Sequence, residues 1–424
     1  MSQAYVYFIV KHRHFCYYQS VMEQILSFFR RLVPAPIFNF FQPLYHYKLA
    51  LLGALFYRLP SRQVKVLAVT GTKGKTTVCE LLNFVLNETG HKSVVSSTLR
   101  SERSTPGRFA LQKFLRDAVK QKCEYAVVEM TSQAVLQYRH KFIKLEALIY
   151  TGIHPEHIEA HGSFQNYLNA KIEIAKTRPR IIVANMEDEH GQKFLQYARE
   201  QKVSYKFADW AGYETNLLGD FNKLNVLAVA KLCLALGLPE AKVREAISKF
   251  EGVPGRVEFV PNYLGIDVVV DYAHTPGSLQ AIYEAMSQNS KSEARNSKLI
   301  CVLGACGGGR DKWKRPEFGK LANQYCAKII LTDEDPYDED PKVIVDEIAT
   351  GITDKSKLEI ELDRRKAISR ALHLAVVPPF GGGTASPVVL ITGKGTDNYI
   401  HGPRGHNLPW SDKRVAEEEL AKVR

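Results

Sequence analysis

The stretch Val66-Leu-Ala-Val-Thr-Gly71-Thr-Lys73-Gly74-Lys75-Thr76-Thr77 decides the fold. An apolar, β-rich run over Val64–Val69 enters a glycine turn, and a helix pattern from Thr76 to Glu88 leaves it. Strand, glycine turn and helix N-terminus together make a phosphate cradle, because backbone N–H groups converge there and glycine lets the chain approach an anion closely. Lys75 is placed to neutralise the β- and γ-phosphates and the Thr76 hydroxyl to ligate Mg²⁺. Gly71, Thr72, Lys73, Gly74 and Thr77 complete the loop around ATP. The loop is a shortened variant of the usual spacing, since Val69 and not glycine stands five residues before Gly74.

Outward from this loop the alternation continues. Short apolar strands are expected at Tyr125–Met130, Ala147–Tyr150 and Ile181–Ala184, with helices at Phe164–Lys176 and Lys223–Leu236. A second series follows the loop Gly252–Arg256, with strands at Val268–Asp271, Leu299–Gly304, Lys328–Asp333 and Val388–Thr392. Such alternation predicts an α/β protein: a central P-loop-type doubly wound parallel-sheet ATPase domain over 64–253, then a Rossmann-like C-terminal α/β domain over 254–424. Ser287–Ser297 and Pro378–Pro387 read as exposed loops. Residues 1–63 form a different, aromatic and basic segment; Tyr45–Leu59 reads as a short helix that either packs on the next domain or lies at a membrane interface. Met22 is a plausible true start.

Composition agrees with a globular chain. Of 424 residues, 45% are apolar and 24% charged, which excludes collagenous, disordered and multi-span membrane classes. The net charge of +12 suits anionic partners, but no nucleic-acid reader motif accompanies it, so no nucleic acid is expected. The seven cysteines are scattered and suggest neither a disulfide framework nor a zinc ribbon, in keeping with a reducing cytoplasm. The run Leu49–Tyr57 is far short of a membrane span.

Several further residues carry chemistry. Glu129 ends an apolar strand, where a carboxylate faces the ligand crevice of a parallel sheet and can hold a second Mg²⁺. The loop His154-Pro-Glu-His157-Ile-Glu-Ala-His161 offers imidazoles, and Gly219-Asp-Phe-Asn222-Lys-Leu-Asn225 opens a helix that Asn222 would cap well. In Gly252-Val-Pro-Gly255-Arg256, an arginine at a domain junction can reach a phosphate. Gly304-Ala-Cys-Gly307-Gly-Gly309-Arg310-Asp311-Lys-Trp-Lys314-Arg315 makes a second anion-binding loop at a strand end.

These motifs, with Asp271-Tyr272-Ala-His274-Thr-Pro276 and Gly393-Lys394-Gly395-Thr396-Asp397, stand in the order found in the Mur ligases, and the chain resembles that family's tripeptide-synthetase branch from about Val64 to Lys413. The resemblance implies an ADP-forming amide ligase of peptidoglycan synthesis, with roles in cell shape and division. It would be a cytoplasmic monomer that joins an amino acid, expected to be a diamino acid, to a muramyl-peptide acceptor through an acyl-phosphate. It implies that Lys75, Glu129, His157, Lys171, Arg256 and Asp271 serve catalysis, that Thr76, Glu129 and His157 hold two Mg²⁺ ions, and that Lys171 is carbamylated. Asn222 and Asn225 would then flank the adenine, and Arg256 and Asp271 would contact the nucleotide from the second domain. Thr105, Arg310, Asp311, Lys314, Asp335, Pro336, Tyr337, Gly393 and Asp397 would meet the substrates.

Two departures stand out. Where the family carries Asp-Asn-Pro-Arg, this chain has Glu334-Asp335-Pro336-Tyr337, and an acidic Asp335 would favour a distal ammonium, as on lysine or ornithine. The usual UDP-holding domain is replaced by about sixty residues. The acceptor is then a UDP-muramyl peptide held differently, a lipid-linked peptide or another γ-carboxyl compound. A folylpolyglutamate or poly-γ-glutamate type ligase and a non-catalytic nucleotide-binding module are the alternative readings.

Overall fold

A computed structural model describes residues 35–100, 105–156, 161–288, 298–377 and 387–423. His157, Met22 and nearly all of the two anticipated exposed loops lie outside them. The chain enters through α1 (Ala35–Phe56). This helix begins ten residues before the expected Tyr45, since Pro36 is tolerated in its first turn and Pro43 is accommodated within it.

The first lobe runs β1 (Lys65–Thr70), α2 (Lys75–Glu88), β2 (Ser93–Ser96), α3 (Arg108–Lys120), β3 (Tyr125–Glu129), α4 (Ser132–Leu136), β4 (Leu145–Tyr150), α5 (Phe164–Ala175), β5 (Ile181–Asn185), α6 (Gly191–Leu195), β6 (Gln201–Tyr205), α7 (Asp220–Ala235) and α8 (Glu240–Lys249). Its sheet is wholly parallel, ordered β2-β3-β1-β4-β5-β6. Helices cover both faces, so β1 is apolar at successive positions. Leu67 and Val69 join the core with α2 and α7, while Val66 and Ala68 join the core with α3 and α5. The order reverses at β1, between β3 and β4, and crevices at such reversals bind ligands. Polar β2 and β6 escaped sequence reading because they are short edge strands without an apolar run.

The second lobe runs β7 (Glu258–Phe259), β8 (Asp267–Asp271), α9 (Pro276–Gln288), β9 (Leu299–Leu303), α10 (Lys314–Tyr325), β10 (Cys326–Leu331), α11 (Pro341–Ala349), β11 (Leu358–Ile360), α12 (Arg364–Val376), β12 (Val388–Thr392), β13 (Tyr399–His401), β14 (Asn407–Pro409) and α13 (Asp412–Leu420). Its main sheet is ordered β11-β10-β9-β12-β8-β7, parallel except for β7. Cys301 and Cys326 form a disulfide here, against the expectation of scattered thiols. Neighbouring strands β9 and β10 bring their Cα atoms to 6.1 Å, although α10 separates them in sequence. The lobes join at Gly252–Arg256, where Gly255 (φ 62°) presses on the backbone of Gly395 and Thr396. Among the described residues, no helix is long and apolar enough to cross a membrane.

Candidate active site

The phosphate loop is held from beneath. Gly71 adopts φ 149°, where a Cβ would collide with the Thr151 side chain and the Gly152 carbonyl. Thr151 donates to the Lys73 carbonyl at 2.6 Å, and the Thr72 amide donates to Gly152 O at 2.8 Å. Lys75 Nζ donates to Thr72 O at 2.8 Å, folded over its own loop. Gly74 (φ 78°) starts α2 against the Asn225 side chain. Asn225 in turn donates to Asn222 Oδ1 at 2.9 Å. Asn222 lies inside α7 and donates to Leu218 O; Gly219 takes the cap position. The asparagine pair thus abuts the loop, and the capping alternative for Asn222 is set aside.

Thr76 and Glu129 meet beside the loop. The Thr76 hydroxyl donates to Glu129 Oε2 at 3.1 Å, and the Thr98 amide and hydroxyl donate to the same oxygen. A hydroxyl and a carboxylate oxygen beside a phosphate cradle form the hard donor set that Mg²⁺ prefers, so these residues fit the ion. Buried Thr77 backs the helix start. Lys171 is 1% exposed on the inner face of α5. Its Nζ donates to Gly71 O at 2.7 Å and lies 4.7 Å from the Tyr167 ring centroid. Burial, reinforced by Lys75, drives its pKa well below the ordinary lysine value, although Glu156 and Glu129 oppose the shift.

Between the lobes lies a cavity of about 720 Å³. Thr105, Thr131, Ser132, Arg139 and His161 line it from the first lobe; His274, Cys306, Arg310, Asp311, Lys314 and Glu334 line it from the second. Thr105 is fixed by donating to the Glu129 carbonyl at 2.7 Å, which ties the cavity wall to the proposed metal ligand's own backbone. Glu156, not selected from sequence, is buried where the lobes meet, 3.7 Å from Lys314 and 3.6 Å from His274. Its neighbour Lys73 is depressed to about 8 by burial, with Glu156 pulling the other way. The signal for Glu156 was present in the His154–His161 loop, but the histidines there drew the chemical reading.

Arg256 stacks on the Tyr272 ring at 4.1 Å and sits beside Asp271. Asp271 accepts the amides of Val257 at 2.8 Å and Ala273 at 2.7 Å, so it braces the interlobe turn; burial raises its pKa against the pull of Arg256. The four cations of the second glycine loop divide their tasks. Arg315 is buried on Glu339 and Glu347, Lys312 pairs with Glu339, and Lys314 pairs with Asp311. Arg310 donates to the Tyr337 hydroxyl at 3.2 Å.

The structure corrects the reading of Asp335. Its carboxylate accepts Lys394 Nζ at 2.7 Å and the His401 amide at 2.9 Å, so its charge is already met. Lys394 also donates to Asp397 at 3.0 Å; burial lowers its pKa, but the two aspartates outweigh that and raise it. Pro336 accepts from the Glu339 amide. Tyr337 (φ 53°) stacks on His401. Gly393 (φ 108°) admits the Glu334 carboxylate into the space where a Cβ would stand.

The sequence matches the Mur ligase middle domain over residues 69–212 and the Mur ligase glutamate ligase domain over residues 255–395. It is 31% identical over 411 residues to UDP-N-acetylmuramoyl-L-alanyl-D-glutamate–2,6-diaminopimelate ligase of Clostridium botulinum, covering 88% of this chain and 82% of that protein. The protein of the same name from Thermosynechococcus vestitus is 34% identical, with 82% and 75% covered. Among solved structures, a ligase of that name matches with TM-score 0.57 at 25% identity, covering 85% of this chain and 78% of that one. Mycobacterium tuberculosis folylpolyglutamate synthase complexed with ADP matches with TM-score 0.65 at 16% identity, covering 82% and 91%, and so speaks for the fold alone. Two wound sheets facing across a cleft, a phosphate loop on the first, and likeness along most of the sequence make the chain a member of the Mur ligase family, the ATP-dependent, ADP-forming ligases.

Proposed function

We propose that the protein joins a diamino acid to the carboxylate of a muramyl-peptide acceptor in peptidoglycan precursor synthesis. The observation that carries this reading is the interlobe cavity, which opens beside Glu129 and Thr105 on one side and Arg310 and Lys314 on the other. A carboxylate does not react with amines at neutral pH, so it must first gain a leaving group. The acceptor carboxylate attacks the γ-phosphorus of ATP, forming a C–O–P link as ADP departs. The amine then attacks the acyl carbon, the C–O bond to phosphate breaks, and inorganic phosphate leaves as the amide loses its extra proton.

Lys75 and Arg256 offset the charge that accumulates on the transferred phosphoryl group, which is where such catalysis gains most. Thr76, Glu129 and His157 would hold magnesium, which supplies electrostatic neutralisation of the phosphates when bound. Lys171, whose pKa burial lowers well below the ordinary lysine value, is suited to add CO₂ through its amine and become a carbamate, releasing a proton. Closure of the lobes keeps water from the acyl-phosphate.

Diaminopimelate is the favoured amino acid. The case for lysine or ornithine rested on Asp335 meeting a distal ammonium, and Lys394 occupies that carboxylate. Arg310 supplies a guanidinium for a distal carboxylate and Glu334 a carboxylate for an ammonium. The test is product mass and ADP release with UDP-muramyl dipeptide and diaminopimelate, lysine or ornithine. ADP release that ignores the amino acid would overturn the ligase reading.

A further inference from the structure

Helix α1 is built inside out for a packing element. The side turned to α3 carries small residues: Ala50 and Ala54 are buried, and Gly53 lies against Arg108 and Phe109. The opposite side carries the large ones. Leu44, Leu52 and Leu55 recur at helical spacing and are from 49% to 55% exposed, with Lys48 in the same stripe; Phe56 at its edge is 72% exposed, although its ring lies 6.4 Å from Phe109. A helix whose task was only to cover α3 would direct its leucines and phenylalanines inward, because burying each contributes about 1.5–3 kcal/mol.

Charge selects the occupant of that stripe. Residues 1–64 hold seven Lys or Arg against one acid, Glu23, so half of the chain's net +12 resides there. From residue 24 to residue 64 there is no Asp or Glu. A second copy docked through the same stripe would set cations against cations, Lys48 and Arg58 of each copy, with no acid on this segment to meet them. An anionic bilayer meets both features: leucine and phenylalanine side chains enter the headgroup boundary while cations contact lipid phosphates. Tyr45, Tyr47 and Tyr57 instead hold the helix to the first lobe: Tyr47 meets Tyr138 and Phe142 edge-on, Tyr45 lies under Arg108, and Tyr57 lies beside Phe109. The helix contains Pro43 and Lys48, and it is not long and apolar enough to cross.

We propose that α1 lies along an anionic membrane surface, seating the ligase there through Leu44, Leu52, Leu55 and Phe56, with Lys48 and Arg58 on lipid phosphates. Full-length protein is sedimented with vesicles of phosphatidylcholine alone, or with roughly 30 mol% phosphatidylglycerol added. Partitioning should be at least about tenfold stronger onto the anionic vesicles and fall in about 0.5 M NaCl. A Leu52→Glu/Leu55→Glu variant should lose about tenfold in partitioning while releasing ADP in vesicle-free solution at the wild-type rate. Equal partitioning onto both vesicle types, or none onto either, overturns the proposal. So does a wild-type dimer in vesicle-free ultracentrifugation that the double variant abolishes, which would assign the stripe to a second copy.

Discussion

The Nζ of Lys171 donates to the carbonyl oxygen of Gly71 at 2.7 Å, which places a fully buried amine directly beneath the phosphate loop. A buried lysine so placed is costly as a cation and useful as a nucleophile toward CO₂. Lys171→Ala should lower kcat at least about 100-fold, equivalent to about 2.7 kcal/mol, and millimolar formate or acetate should restore part of it. Unchanged turnover would remove Lys171 from the mechanism. Carbon-13 NMR with labelled bicarbonate should show a carbamate signal in the wild type that the variant lacks.

Arg310 rests on Tyr337, donating to its hydroxyl at 3.2 Å. If Arg310 receives a distal carboxylate, Arg310→Met should raise KM for diaminopimelate about tenfold or more and leave KM for lysine nearly unchanged. A uniform fall in kcat with both amino acids would instead place Arg310 at the phosphate.

Lys394 neutralises Asp335 and Asp397 with none of its own surface exposed. Lys394→Met leaves two carboxylates without that cation, and removal of one member of a buried pair costs about 3–5 kcal/mol. The urea midpoint should fall accordingly. Lys394→Met combined with Asp335→Asn should recover part of the loss, because fewer unpaired charges remain buried.

His140 is buried, and neither ring nitrogen has a hydrogen-bond partner among the described residues. Burial, with Lys141 adding to it, lowers its pKa from 6.5 to about 4. The folded state therefore keeps the ring neutral in the interval where the unfolded chain takes up a proton. Stability is full above pH 6.5 and declines as pH falls toward 4, by up to about 3 kcal/mol. Comparing denaturation of wild type and His140→Leu across that interval isolates the contribution; parallel curves would refute it.

The phosphate loop and Glu129 were legible in the sequence because each depends on local pattern: an apolar strand followed by glycines, or a carboxylate closing such a strand. Lys171 was singled out only through the family resemblance; the structure shows that Tyr167, Leu168, Lys171 and Ile172 share one buried helical face. Asp335 was misread because its partner Lys394 lies 59 residues away, and nothing in local pattern announces that meeting. The same distance problem hid the Cys301–Cys326 link and the convergence of Glu156 with His274 and Lys314. For α1, sequence showed aromatics and cations, but only the packing of Ala50, Gly53 and Ala54 settled which side faces outward.

Gly255 is wedged against the backbone of Gly395 and Thr396, with no room for even a methyl group. Anyone wishing to retune amino-acid choice by transplanting the 393–401 segment from a relative would therefore have to carry the 252–256 connector along with it. Chimeras with a crossover between those two stretches should express poorly, whereas those exchanging both as a unit should retain their shape.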